Sequence, residues 1–289
     1  MTQPMIMWSC EDRDAPFVGV FRRTATRAGY DVRILHPAAE PAGFTELKRH
    51  YRHLSPNAER FELASFRRWF EIAANVTPTD RFVLADSDLV VQDGFSALPA
   101  ELRETTALVG SIGSTDDVLE DGINGGFSIW TGATLHAFCD YMVALYASDF
   151  DRLARIHAAK TAAGNPRASI SDMTLLYQFV ADTNTAFVNS NRVINGGYID
   201  HNFFMPHCLG TRFRTTLGRK SLRFAADGFW LTTENGTPVR PHSLHLGGRY
   251  KIMATAIETA DSLTLTRHSA YIVAGRTART LLGKVGIHR

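Results

Sequence analysis

The run Arg81-Phe82-Val83-Leu84-Ala85-Asp86-Ser87-Asp88-Leu89-Val90-Val91 places more constraint on the fold than any other part of this chain. Apolar residues flank an acidic pair on both sides, which reads as one buried strand of a sheet covered on both faces. The carboxylates then lie where the strand surfaces, at its carboxyl end. Open α/β sheets bind their ligands at that edge. Asp86 and Asp88 are two residues apart, so on an extended chain they share a face. Two like charges there need a positive partner, and a hard divalent cation with oxygen ligands is the natural one. A turn or a helix cap is the plainer use of Asp-x-Asp.

The rest of the chain supports an α/β reading. Its 289 residues suffice for one large domain or a domain with an appendage. Met5–Trp8 reads as a first strand, 15–28 as a helix ended by Gly29, and Tyr30–Leu35 as a second strand. This is the strand-helix-strand opening of a nucleotide-binding sheet. Helices are expected over 46–53 and 58–74, the latter with Phe61, Ala64, Phe66, Trp69 and Ile72 on one apolar face. Strands are expected over 106–111, 127–131 and 186–188. Further helices fall at 133–147, 151–163 and 171–181, with Ser171 as amino-terminal cap. The stretch 191–228 reads as loop-rich, Ser243–Leu246 as a strand end, and helical patterns return after Tyr250. Asn-Gly-Gly occurs at Asn124 and again at Asn195 in different surroundings, which is coincidence and not a repeat.

Composition excludes several classes. The formal net charge of +2 gives no bulk attraction to nucleic acid. Cys10, Cys139 and Cys208 are odd in number and far apart, so neither a disulfide framework nor a zinc knuckle is indicated. The amino terminus has no basic lead and apolar core of a secretory signal, and no apolar run reaches the length of a membrane span. A cytoplasmic setting is the expectation.

Three further segments matter through their order. Asn124-Gly125-Gly126-Phe127 precedes a strand, Ser171-Asp172 opens a helix, and His245-Leu246-Gly247-Gly248-Arg249-Tyr250-Lys251 lies far downstream. With Asp86-Ser87-Asp88, this order resembles GT-A-fold glycosyltransferases that use nucleotide-sugar donors. It is most similar to the retaining, family 8-like enzymes related to glycogenin and the bacterial lipooligosaccharide galactosyltransferases. The resemblance runs from the first strand to about Lys251. It implies a Rossmann-like fold with a mixed central sheet flanked by helices. A GT-A-like catalytic domain would span 1–255, followed by a basic helical tail over 256–289.

The resemblance also implies roles. Asp86, Asp88 and His245 would hold Mn²⁺ or Mg²⁺. Such an ion would stabilise the diphosphate that departs as the sugar–phosphate bond breaks. Lys251 would be a second positive charge on that diphosphate, and Gly247 and Gly248 would let backbone amides approach it. Asn124, Gly125 and Gly126 match the family's Asn-Ala-Gly beneath the donor sugar, with Gly125 in place of alanine. Asp172 matches an aspartate that contacts sugar hydroxyls, although Met173 stands where the family has Gln or Glu. Arg68, or its neighbour Arg67, would face the donor. Trp8, Ser9 and Glu11 follow the strand that receives the base. Asp200 is a candidate for acceptor contact. The donor would be a UDP-linked hexose, the acceptor a saccharide, a glycolipid or another hydroxyl compound, and the anomeric configuration would be retained.

Each residue also has a plainer use: a satisfied buried histidine, a glycine turn, a solvated lysine, a surface ion pair for Arg68, or a carboxylate on a helix dipole for Asp172. Two other functions compete. Apolar strand, Asp-x-Asp and Val90-Val91 also resemble the first motif of haloacid-dehalogenase-type phosphatases, with Asp116, Asp117 and Asp121 imitating their later acidic motif. That fold, however, usually begins with the motif, and the interval to Asp116 is short. The second alternative is a non-catalytic carbohydrate-binding protein on the same fold. Beyond Asp261 the chain carries Arg267, Arg276, Arg279, Lys284 and Arg289 and no acidic residue. That tail is either a packed helix with a solvated basic face or one that makes peripheral contact with anionic lipid.

Overall fold

Alternate residues of the two central strands face opposite ways, and both sets are apolar. Trp8, Phe82 and Leu84 enter one core, while Met7, Val83 and Ala85 enter another. A sheet covered on both sides is the consequence. The computed structural model describes residues 3–115, 118–165 and 168–284, and their side chains except those of 114–115, 118–121 and 276–284.

The chain begins β1 (Ile6–Cys10), α1 (Pro16–Arg27), β2 (Asp31–Leu35). Pro16 presets the first helical turn, and Gly29 ends the helix region at φ +93°. Next come α2 (Ala42–His50), α3 (Glu59–Ala73), β3 (Arg81–Ala85), β4 (Leu89–Val91), α4 (Ala100–Arg103), β5 (Leu108–Thr115) and β6 (Val118–Thr131). Then follow α5 (Gly132–Ser148), α6 (Phe150–Ala162), α7 (Asp172–Thr183) and β7 (Phe187–Asn189). The central sheet runs β2-β1-β3-β6-β5-β7, with β1 parallel to β2 and β3, β6 antiparallel to both β3 and β5, and β7 parallel to β5. It is the mixed sheet flanked by helices that the sequence implied.

From residue 191 onward the loop-rich expectation gives way to a second, smaller sheet system. It comprises β8 (Gly197–Ile199), β9 (His207–Cys208), β10 (Thr211–Arg212), β11 (Thr215–Thr216), β12 (Arg219–Lys220), β13 (Leu222–Ala225), β14 (Gly228–Thr232) and β15 (Pro238–His245). β15 pairs antiparallel with β4 and parallel with β8. Of these, β8 to β13 are only two to four residues long, too short to show a period, which is why the pattern missed them. Helices α8 (Ala254–Glu258) and α9 (Ser262–Lys284) follow. Leu265, Ser269 and Ile272 of α9 are buried, and Arg219 Nε donates to Ser269 Oγ at 2.8 Å. The first half of the expected tail is thus packed; Arg276, Arg279, Lys284 and Arg289 lie outside the described side chains, as do Asp116, Asp117 and Asp121. No described helix is long and apolar enough to cross a membrane.

Four local expectations are corrected. The run 81–91 is two strands and not one. β3 belongs to the central sheet and β4 to the second, with Asp86-Ser87-Asp88 as the turn between them, where Leu89 N donates to Asp86 O at 3.3 Å. α2 begins at Ala42, directly after Pro41, which sits at φ −61° as helix cap. Ser171 occupies the cap position of α7 but makes no side-chain cap bond. Asn124-Gly125-Gly126 lies inside β6, which is much longer than 127–131. The second Asn-Gly-Gly is unrelated: Asn195 and Gly196 both take positive φ in a tight turn closed by reciprocal Ile194–Gly197 bonds.

Candidate active site

The strand order reverses beside β1. From there the chain steps outward to β2 and returns on the other side as β3. The carboxyl ends of β1 and β3 therefore open a crevice, as the topology of such sheets requires. A cleft of about 840 Å³ occupies it. Cys10, Glu11 and Asp12 line it after β1, Asp86, Ser87 and Asp88 after β3, and Gly248 and Lys251 from the far end of the chain.

His245 is the last residue of β15 and pairs with Leu89 of β4. This register carries the imidazole to the acidic turn. Its Nε2 lies 3.4 Å from Asp86 Oδ2 and 3.1 Å from Asp88 Oδ1. Ligand atoms of Asp86, Asp88 and His245 all fall within 4.8 Å of one another. Lys251 Nζ reaches Asp88 Oδ2 at 3.0 Å, and Arg68 donates to Asp86 and, at 2.8 Å, to Asp172 Oδ2. The acidic pair, His245 and Lys251 thus meet although more than 150 residues separate them in the chain.

These residues suit a hard divalent cation. His245 Nδ1 lies 2.8 Å from the carbonyl of His201, so Nδ1 carries the proton in the neutral ring and Nε2 turns a lone pair toward the two carboxylates. That is the orientation a metal-ligating histidine takes when a carbonyl fixes its tautomer. Asp88 Oδ1 is buried and, with Nε2 of His245 unprotonated, has no hydrogen-bond donor. Burial opposes charge on His245, but Asp88 and Asp86 outweigh it and push its pKa well above the usual value. Burial likewise opposes charge on both carboxylates, yet Arg68 for Asp86 and His245 for Asp88 hold them below the usual range. An imidazole nitrogen and two carboxylates are an ordinary Mn²⁺ or Mg²⁺ donor set.

β6 supplies the floor. Its register against β5 slips from Val109–Ile129 to Ser111–Asn124, so residues between Asn124 and Ile129 bulge out of that pairing. The bulge turns Gly126 to the site: its carbonyl accepts from Asp86 N at 2.8 Å, and its N–H donates to Asn124 Oδ1 at 2.6 Å. A Cβ on Gly126 would stand 2.8 Å from His245 Cε1 and 2.9 Å from Asp86 Oδ2, and one on Gly125 would stand 2.5 Å from the Trp69 ring. Gly126→Ala should therefore displace the His245 and Asp86 side chains before it unfolds the sheet. The expected result is about a tenfold or greater loss of Mn²⁺ affinity, read by titration of the purified protein, with a cooperative melt retained.

The other sequence candidates fall in several places. Asp172 opens α7 and accepts from Arg68 and, at 3.1 Å, from Trp69 Nε1, so it joins the site through Arg68. Gly248 stands at φ +63° on the cleft wall. Trp8 and Ser9 are buried within β1 and do not line the cleft; Glu11 does. Glu11 was not singled out for its contacts, yet Ser87 Oγ donates to it at 2.6 Å and Arg13 grips it twice. Burial opposes its charge, but the Arg13 and Ser87 bonds bring its pKa down to about 2. Arg67 pairs with Glu71. Asp200 does not line the cleft: it is fully buried, paired with Lys220, and accepts from His245 N. Phe61, expected in the apolar face of α3, is 60% exposed and lines the cleft instead. Lys220 and the His201 carbonyl escaped notice, since nothing local separates a buried lysine from an exposed one.

No family model matches the chain, and no curated protein sequence matches it. Among solved structures, similarity extends to the glycosyltransferase GlyE of Streptococcus pneumoniae TIGR4, at 13% identity over 65% of this chain and 45% of that one, with TM-score 0.34. The galactosyltransferase LgtC, in complex with donor and acceptor sugar analogues, is similar at 12% identity over 65% of this chain and 74% of that one, TM-score 0.35. Mouse xyloside xylosyltransferase 1 is similar at 9% identity over 64% of this chain and 84% of that one, TM-score 0.43. The chain thus spans less than half the length of GlyE.

Proposed function

We propose that the chain is a metal-dependent glycosyltransferase that moves a hexose from a nucleotide sugar, UDP-linked, to a hydroxyl acceptor with retention at the anomeric carbon. The observation that supports it most is the convergence of Asp86, Asp88 and His245 at the crevice of a nucleotide-binding-type sheet, with Lys251 beside them. The residue order that carries the family resemblance is the same set.

In this reading Asp86, Asp88 and His245 hold the ion, which as a Lewis acid would neutralise charge on the departing diphosphate. Lys251 exchanges Asp88 for a phosphate oxygen and adds a point charge to the same leaving group. Arg68, fixed between Asp86 and Asp172, keeps the two carboxylates at a set spacing under the donor. Asn124, Gly125 and Gly126 form a close floor for the sugar, where any side chain at 126 would intrude. The distal cleft along α3 and the loop after β1 leaves room for the nucleoside. The tail beyond Asp261 would serve a glycolipid acceptor if the full chain binds anionic liposomes and a chain ending there does not.

The test is a panel of nucleotide sugars with Mn²⁺, scored for released nucleoside diphosphate with and without hydroxyl acceptors. Release with one donor, abolished by chelator, is expected. Absence of release, together with no Mn²⁺- or nucleotide-dependent rise in melting temperature, would favour a non-catalytic carbohydrate-binding protein. An aspartyl-phosphate adduct trapped with beryllium fluoride would favour a phosphatase.

A further inference from the structure

Asp200 and Lys220 form an ion pair in which both side chains are 0% exposed. A buried pair of this kind carries a large desolvation cost and is often no more stabilising than apolar residues of the same size. Its bonds show what it holds. The free oxygen of Asp200, Oδ2, accepts from the backbone N–H of His245 at 3.1 Å. Lys220 Nζ donates to the carbonyl of Asn202 at 2.8 Å and reaches Tyr198 Oη at 3.4 Å, while its own N–H donates to Phe203 O at 2.9 Å. The segment 198–203 is so clamped from both ends. Between Asp200 and Asn202 lies His201, whose carbonyl receives His245 Nδ1–H at 2.8 Å and Asn124 Nδ2–H at 3.3 Å.

We infer that Asp200 and Lys220 are positioning residues for the metal ligand His245: the pair fixes both the backbone of His245 and the carbonyl that sets its tautomer. The inference rests on the metal reading proposed above. Neither residue reaches the cleft, so neither touches donor or acceptor. Outer partners of this kind typically govern metal affinity by about 10- to 100-fold.

The test is Mn²⁺ binding to the purified, nucleotide-free protein, followed by electron paramagnetic resonance. In Asp200→Glu the pair with Lys220 is kept, but an added methylene moves the carboxylate off the His245 N–H. In the double variant Asp200→Leu, Lys220→Met the charges are replaced by apolar bulk, so the fold survives without the clamp. Both are expected to weaken Mn²⁺ binding by about 10- to 100-fold. Leu153→Ala, a truncation of a fully buried residue of α6 that does not line the cleft, is the control: it should lower the melting temperature and leave Mn²⁺ affinity at the wild-type value. Wild-type Mn²⁺ affinity in either folded Asp200 variant overturns the inference, and so does failure of both to fold, which would make the pair purely structural. If the wild-type chain itself binds no Mn²⁺, the metal reading fails instead.

Discussion

Asp88→Asn should, on the proposed metal-dependent reading, lower glycosyl transfer on the order of 10³-fold while the protein still melts cooperatively. Asn keeps the shape of the side chain but removes one of two anionic ligands. What is lost is charge stabilisation that operates as the leaving group departs, a contribution of several kcal/mol in metal-assisted reactions. The fold has little reason to fail. Asp88 lies in a turn and not in a ladder, so the backbone pairing survives; the lost pairing with His245 and Lys251, only partly offset by relief of repulsion with Asp86, should lower the melting temperature without abolishing the cooperative transition. Turnover with the productive donor, Mn²⁺ affinity and the melting curve together check this. Near-normal turnover in a folded variant would contradict the metal role of the acidic pair.

Arg68→Ala should act the opposite way and cost stability. The guanidinium is 18% exposed and is shared by Asp86 and Asp172, the latter 7% exposed at the head of α7. Its loss leaves two carboxylates facing each other across the vacated space without that cation. Breaking such a pair costs about 3 kcal/mol, which for a chain of this size is about 6–12 °C in melting temperature. Part of the loss should return in Arg68→Ala, Asp172→Asn, because one of the stranded charges has gone. Denaturant titration of both single variants and the double measures that coupling directly. A fall of less than 2 °C in Arg68→Ala would show that water already satisfies these carboxylates.

The residues at the carboxyl end of the central sheet were legible to different depths for identifiable reasons. Asp86 and Asp88 stood out because an apolar strand ends on them. The strand was misread past Ala85, since Leu89-Val90-Val91 is equally apolar while belonging to another sheet. The carboxylates converge through a turn and a strand register, not through two-residue alternation. Phe61 follows the helical period of α3 yet faces the cleft, because periodicity gives a face and not what covers it. Asp200 was marked as chemically notable, but only the burial of Lys220 beside it shows that the pair looks inward to His245.

What the amino-acid sequence determined by itself is the alternation of buried strands with amphipathic helices, the opening strand-helix-strand, and the acidic segment at a strand end. All of these are encoded in short-range apolar period and in the backbone preferences of Pro and Gly. The family resemblance already implied that Asp86 and Asp88 meet His245 and Lys251; what only the tertiary structure decided is the geometry of that meeting and the place of Gly126 and Arg68 within it. That meeting depends on the β4–β15 register and the β6 bulge, which are set by packing between segments far apart in the chain and leave no local trace in composition or spacing.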